Sequence, residues 1–140
     1  MKYPNRISVA IPKSDLKEIL GAINFIQEKL PNLVSLSSRE LSALPKTSGS
    51  TIEFILENLR LADKYPKLVP ANIEIDEIQK DVHLINDLNK ILKPLKDLVK
   101  KLEDSATLAG SEAYLPSIAI YNAIKADAIR KKHSKSSLSV

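Results

Sequence analysis

Hydrophobic residues in the first part of the chain recur at three- and four-residue steps, the spacing that places side chains on one face of an α-helix. This run predicts helix 1 from Ser14, as N-cap, to Leu30, where Pro31 ends it. A one-sided apolar stripe requires cover, so helix 1 is expected to pack against other helices. The stripe consists of Leu16, Ile19, Leu20, Ile23, Ile26 and Leu30.

Two Ser-x-x-Glu patterns follow, and each has the spacing of a capping box. Ser37 with Glu40 predicts a short extra helix that ends near Leu44, and Ser50 with Glu53 predicts the start of helix 2. Helix 2 is expected to end near residues 65–66, because a residue that precedes proline is disfavoured in the α conformation.

A longer stripe predicts helix 3 from Asp76, with Gln79 as its capping partner. Apolar residues from Ile78 to Leu102 keep the helical period for about seven turns. Pro94 lies inside this stripe and predicts a kink, because proline removes one backbone donor and its ring meets the carbonyl four residues earlier.

The turn between helices 3 and 4 is not located by periodicity, because the stripe continues in phase across the whole region. A tight reversal at Asp104-Ser105 is favoured, since it gives helices 3 and 4 similar lengths. A break at Gly110-Ser111 would instead use glycine as the C′ residue and serine as the next N-cap. Pro116 complicates both alternatives, because proline is well tolerated only in the first turn of a helix.

Small residues one helical turn apart mark the same region as a helix-packing seam, where another helix backbone can approach closely. Tyr114 and Tyr121 are a heptad apart and share one face. Their rings with polar tips are typical of a core margin, and they are the candidate interaction residues. The seam residues are Ala106, Ala109, Gly110, Ala113 and Ser117.

The composition fits a single helical domain. Of the 140 residues 44% are hydrophobic and 27% charged, and three glycines with 4% aromatics disfavour a sheet protein. We therefore expect an all-α, up-and-down antiparallel four-helix bundle over residues 1–130, with the short extra helix between helices 1 and 2. A disordered basic tail is expected over residues 131–140.

Positive charge is concentrated at the carboxyl-terminal end. Arg130, Lys131, Lys132 and Lys135 account for the formal net charge of +4, because the other 17 Lys and Arg are matched by 17 Asp and Glu. A neutral body disfavours general nucleic-acid binding. The alternative function is weak, salt-sensitive binding of nucleic acid or an anionic surface through these four residues.

Signals for secretion and membrane insertion are not apparent. The beginning of the chain has no continuous apolar segment of the kind that signal peptides contain, and no apolar run approaches the roughly 20 residues that span a bilayer. The chain has no cysteine, which excludes disulfides, thiolate metal sites and a cysteine nucleophile. We expect a cytoplasmic protein without a membrane span.

Two segments, residues 40–70 and 101–128, resemble a family of small uncharacterised bacterial proteins. The shared features are an ALPK-x-G type of turn, an LVP connector and the LAGSEAY motif, here Leu108 to Tyr114. The resemblance extends from helix 1 to Lys125 and implies an all-helical up-and-down bundle with no assigned activity. Pro116 departs from it, because a helix former is expected there, and so does the lysine- and serine-rich end of the chain.

Catalytic and metal-binding patterns are weak. A di-iron bundle needs Glu-x-x-His pairs, whereas His83 and His133 follow Lys80 and Arg130 at that spacing. The serines have no G-x-S-x-G context and no histidine partner. We expect a non-enzymatic protein without cofactor or metal. It would act through protein–protein contacts or self-association as a homo-oligomer, with a partner that the sequence does not identify.

Overall fold

The described part of the chain, residues 2–138, is all-helical in a computed structural model, as the periodicity predicts. Side chains are described for residues 2–134, and none of the described residues lies in a strand. The helices are α1 (Lys13–Lys29), α2 (Ser38–Ala43), α3 (Gly49–Lys64) and α4 (Ile75–Leu138), with a 3-10 turn at Pro66–Leu68.

The predicted short helix is confirmed, but the cap of the helix after it lies elsewhere. Ser37 caps α2, and its Oγ accepts the N–H of Glu40 at 3.2 Å. Ser50 does not cap α3, because it already lies inside that helix. Ser48 is the N-cap, and its N–H donates to Thr51 Oγ1 at 3.2 Å. Both Ser48 and Ser50 have the side chain of an N-cap residue, but Ser48 also has Thr51 three residues later to complete the capping box.

The other two helices begin before their predicted N-caps. Pro12 precedes α1 and accepts the N–H of Leu16 at 3.0 Å, so Ser14 lies inside the helix and is not its N-cap. Asp76 likewise belongs to the first turn of α4. Its carboxylate there faces the positive end of the helix dipole.

The predicted turn between helices 3 and 4 is wrong, because both are parts of the single helix α4. Neither Asp104-Ser105 nor Gly110-Ser111 interrupts it. A glycine that ends a helix adopts a positive φ, and no described glycine does. The antiparallel hairpin expected within this part of the chain is therefore replaced by one long helix.

Two prolines lie in the interior of α4. Pro116 was expected only in a first turn, yet the helix continues on both sides of it. Its missing N–H deprives the carbonyl of Glu112 of its usual helical donor, and an interior proline costs about 3 kcal/mol. Pro94 also lies within the helix, and the kink predicted there stays a prediction.

The carboxyl-terminal segment differs from the expected disordered tail. α4 continues to Leu138, so residues 131–138 are helical. Residues 139 and 140 lie outside the described part of the chain, as does the side chain of Lys135.

The chain divides into two compact units, and the division falls inside α4 after Pro94. The first unit contains residues up to Ile11 and from Leu95 onward, which are a non-helical N-terminal segment and most of α4. The second unit contains α1, α2, α3, the 3-10 turn and the beginning of α4.

Burial is minimal in both units. Val82, in the second unit, is the only buried side chain among those described, with 6% of its surface exposed. The apolar stripe of α1, which was expected to be covered, has no buried residue. The described structure therefore presents apolar helix faces without the cover that the amphipathic pattern requires.

Candidate functional site

The predicted packing seam lies on one face of α4 in the first unit. We define the seam face as the nine residues given below, which fall within a sector of about 100° at 3.6 residues per turn. Its four large apolar side chains are 49–66% exposed, and its small residues are exposed as well. The members are Val99, Leu102, Ala106, Ala109, Gly110, Ala113, Ser117, Ile120 and Ile124.

No helix of the first unit packs on the seam face among the described residues, since that unit contains only α4 and a non-helical segment. A Cβ built on Gly110 would have no neighbouring atom within 4 Å. The small side chains therefore permit a close approach that no other helix of this unit makes.

The two candidate tyrosines lie at one edge of the seam face. Tyr114 and Tyr121 are each more than half exposed. The ammonium of Lys125 lies 5.8 Å from the ring centroid of Tyr121, which is within the range of a cation–π contact. Both rings are thus presented on the surface of the first unit, beside the seam.

The sequence did not identify the most specific contact of the first unit. Glu112 of α4 accepts two consecutive backbone N–H groups from the non-helical segment, residues 2–11, which we call the strap. The N–H of Ile7 donates to Glu112 Oε1 at 3.0 Å, and the N–H of Arg6 donates to Oε2. A carboxylate acceptor makes both bonds charge-assisted. The only signal was a carboxylate within the LAGSEAY motif, and nothing local linked it to a segment more than 100 residues away.

The strap leaves the seam face open. From residue 96 to residue 126 of α4, the only partly covered residues are Leu108, Glu112 and Pro116. These three form a line one turn apart, about 110° around the helix axis from the centre of the seam face. Within the first unit, the face of α4 that contains Glu112 is therefore partly covered, whereas the seam face is exposed.

A separate apolar groove of about 590 Å³ lies in the second unit, between α3, the 3-10 turn and the start of α4. Phe54, Leu59 and Ile78 are among the side chains that line it. Asn58 and Tyr65 are its polar lining residues, and Asn58 Nδ2 already donates to the carbonyl of Phe54 at 2.8 Å. Its described lining has no carboxylate, histidine or lysine.

The basic end of the chain is partly neutralised by its own helix. Asp127 accepts a hydrogen bond from Arg130 at 2.9 Å and lies 3.3 Å from Lys131 Nζ. Lys132 is exposed, and the side chain of Lys135 lies outside the described residues. Two of the four predicted tail cations are therefore already engaged with one carboxylate.

Ionisable groups with shifted pKa values belong to exposed helix pairs. The hydrogen bond from Arg60 lowers the pKa of Glu57 and raises that of Arg60. Asp104 accepts a hydrogen bond from Lys100 at 2.5 Å, and this bond raises the pKa of Lys100. Among the described residues no three His, Cys, Asp or Glu side chains cluster as metal ligands, and His83 is exposed.

Comparison with known proteins gives no relative on which to base a function. No family model matches the chain, and neither the curated proteins nor the solved structures contain a significant match. The resemblance to a family with a LAGSEAY motif therefore stays a prediction. None of the helices, over their described residues, has a stretch long and apolar enough to cross a bilayer.

Proposed function

We propose that this chain is a non-enzymatic helical protein that acts by self-association, in which copies of the chain cover one another's apolar helix faces. The observation that carries the proposal is the burial of a single side chain, Val82, among all those described. Folding has to offset about 1–2 kcal/mol of backbone entropy for each ordered residue, chiefly by burying apolar surface. One buried valine does not supply that free energy.

Uncovered apolar surface is present within each unit. In the second unit the apolar stripe of α1 has no buried residue, and in the first unit the four large side chains of the seam face are 49–66% exposed. Apolar helix faces of this kind suit contacts with other helices.

We further propose that the bundle predicted from the sequence forms between copies. The stripe of α1, the groove beside α3 and the seam face of α4 are apolar surfaces on different helices. Faces of this kind are stable when they pack helix against helix. An intermolecular bundle would satisfy the same stripes that the sequence assigned to an intramolecular one.

The basic tail supports a second function less well. Four cations in eleven residues favour weak attachment to polyanions, but the Asp127 carboxylate opposes that attraction at Arg130 and Lys131. Self-association is therefore the function that the described contacts favour.

Light scattering coupled to size-exclusion chromatography tests the proposal. We expect a mass that is a multiple of 15.5 kDa and that persists on dilution into the micromolar range. A monomer at every concentration would exclude self-association. Retention of nucleic acid at low salt by that monomer would favour the basic tail instead.

A matched pair of variants on α1 distinguishes covered from solvated positions. Leu20 and Phe25 are both 57% exposed, but only Leu20 belongs to the apolar stripe, and Phe25 lies on the other side of the helix. In an assembly, Leu20→Glu should lower the oligomer population because it places a charge in an apolar contact. Phe25→Glu should leave the mass unchanged. Equal effects of the two substitutions would contradict a role for the α1 stripe.

A further inference from the structure

We infer that the seam face of α4 pairs with the seam face of a second copy, in antiparallel orientation, with the two helices crossing at Gly110. This inference rests on the proposed self-association and names one of its interfaces.

Large apolar side chains lie exposed at both ends of the seam face, and burial against another apolar surface would stabilise them. Val99 and Leu102 at one end, and Ile120 and Ile124 at the other, are 49–66% exposed. The strap binds the neighbouring face of the helix and leaves all four uncovered. The first unit offers no other helix for them among its described residues.

The area of the face is sufficient for a stable pair. From Val99 to Ile124 the helix rises about 40 Å, and a 100° sector of a helix about 11 Å across is about 10 Å wide. The face then supplies about 400 Å² per copy. Tyr114 and Tyr121 at its edge add about 100 Å² each, given their exposure and the usual area of an aromatic ring. The pair would bury about 1,200 Å², which reaches the range of specific interfaces.

The charge distribution favours two identical copies in antiparallel orientation. A two-fold interface brings the same surface patch of the two copies into contact, so a face with charge of one sign would repel itself. None of the nine residues of the seam face is charged. A parallel pair would bring together the basic ends at Arg130, Lys131 and Lys132, whereas an antiparallel pair places these ends about 60 Å apart.

The order of side-chain sizes places the crossing at Gly110. Large residues lie at both ends of the face and small ones in the middle, and Gly110 is close to its midpoint. Two helices that cross are closest at the crossing point and diverge away from it, so small residues fit the centre and large ones fill the ends. The same size pattern occurs in either chain direction, as an antiparallel two-fold pair requires.

Cysteine cross-linking tests the register, because the natural chain has no cysteine. In an antiparallel pair centred on residue 110, Val99 faces residue 121 of the other copy and lies about 33 Å along the axis from its own counterpart. We expect Val99→Cys mixed with Ile120→Cys to form a disulfide-linked dimer on oxidation. Val99→Cys alone should form none, since a disulfide needs Cα atoms about 4.4–6.8 Å apart.

The cross-linking and light-scattering results distinguish the antiparallel orientation, the seam interface and self-association itself. A cross-link in Val99→Cys alone would indicate a parallel pair and overturn the inference. An oligomer by light scattering that gives no cross-link in the mixture would overturn this interface while leaving self-association intact. A monomeric wild-type chain would instead remove the proposed function. Far-UV circular dichroism of each cysteine variant, with helix content equal to that of the wild type, ensures that folded protein is compared.

Discussion

The substitution Gly110→Ala tests whether α4 is continuous through the region where a turn was predicted. In a helix interior alanine is more favourable than glycine by about 0.8–1.0 kcal/mol. The new methyl group would have no neighbour within 4 Å, and the backbone φ at this position is not positive. The substitution should therefore stabilise the helix by nearly the whole difference in helix propensity.

The matched control is Gly21→Ala, because Gly21 also lies inside a helix with open space around its Cα. In the dissociated chain, where no second helix crosses at Gly110, both variants should raise the midpoint of thermal unfolding by about 3 °C, given the entropy of unfolding of a chain of this size. Circular dichroism at 222 nm measures the midpoint. Measurements at several protein concentrations separate the helix term, which does not depend on concentration, from any change in association.

The sign of the effect at Gly110 refutes or supports the continuous helix. A glycine at the C′ position of a helix adopts the left-handed conformation, where alanine is destabilising by about 1 kcal/mol. If Gly110→Ala lowered the midpoint of the dissociated chain while Gly21→Ala raised it, a turn would exist at Gly110-Ser111 and the single α4 would be wrong. A loss that is present at high protein concentration and disappears on dilution would instead indicate that the added methyl groups separate two associated helices, since overpacking costs about 1–3 kcal/mol.

Three further predictions follow from individual contacts. Glu112→Ala should accelerate hydrogen exchange of the two strap amides about tenfold or more, because it removes charge-assisted bonds, whereas Glu103→Ala on the same helix should not change their exchange. Arg60→Ala should return the pKa of Glu57 toward its ordinary value in an NMR titration. In the wild type the lowered pKa of Glu57 stabilises the folded state at pH values above the pKa of the unfolded chain. This stabilisation is lost as the pH falls through the pKa of Glu57 in the folded state. Val82→Ala should lower the free energy of unfolding by about 2 kcal/mol in denaturant titrations, because it truncates the one buried side chain, and a change below about 0.5 kcal/mol would contradict its burial.

Local sequence rules located the helices well because the signals that start and end them are short-range. A serine three residues before a glutamate placed the cap of α2 at Ser37. Prolines placed the ends of α1 and α3 to within about one residue, as expected from their effect on the preceding backbone. Each of these signals acts within one helical turn, so one sequence is sufficient to read it.

The connection of helices 3 and 4 could not be read in the same way. Periodicity shows that a segment is helical, but it is silent about a turn when the apolar residues stay in phase on both sides. The reversal at Asp104-Ser105 was favoured only because it gives two antiparallel helices of similar length. Pro116 fitted neither alternative, and it lies in the interior of α4.

The contact of Glu112 with the strap was invisible for a different reason. Main-chain N–H groups occur at every residue except proline, so the segment that donates has no sequence signature. Only the three-dimensional structure brings residues 6 and 7 to a carboxylate more than 100 positions away. Long-range backbone contacts of this type require coordinates.

The strap and the seam face together give the first unit two different kinds of surface on one helix. A carboxylate that accepts two amides fixes a non-helical segment by directed hydrogen bonds, which depend on the positions of particular atoms. The seam face has no charged group, so the proposed pairing would depend on the non-directional hydrophobic effect, which is proportional to buried apolar area. The strap therefore can hold its register in a single chain. In the proposed pairing the seam face would gain stability only against a second apolar surface, which agrees with its exposure in the single chain beside the partly covered face of Glu112.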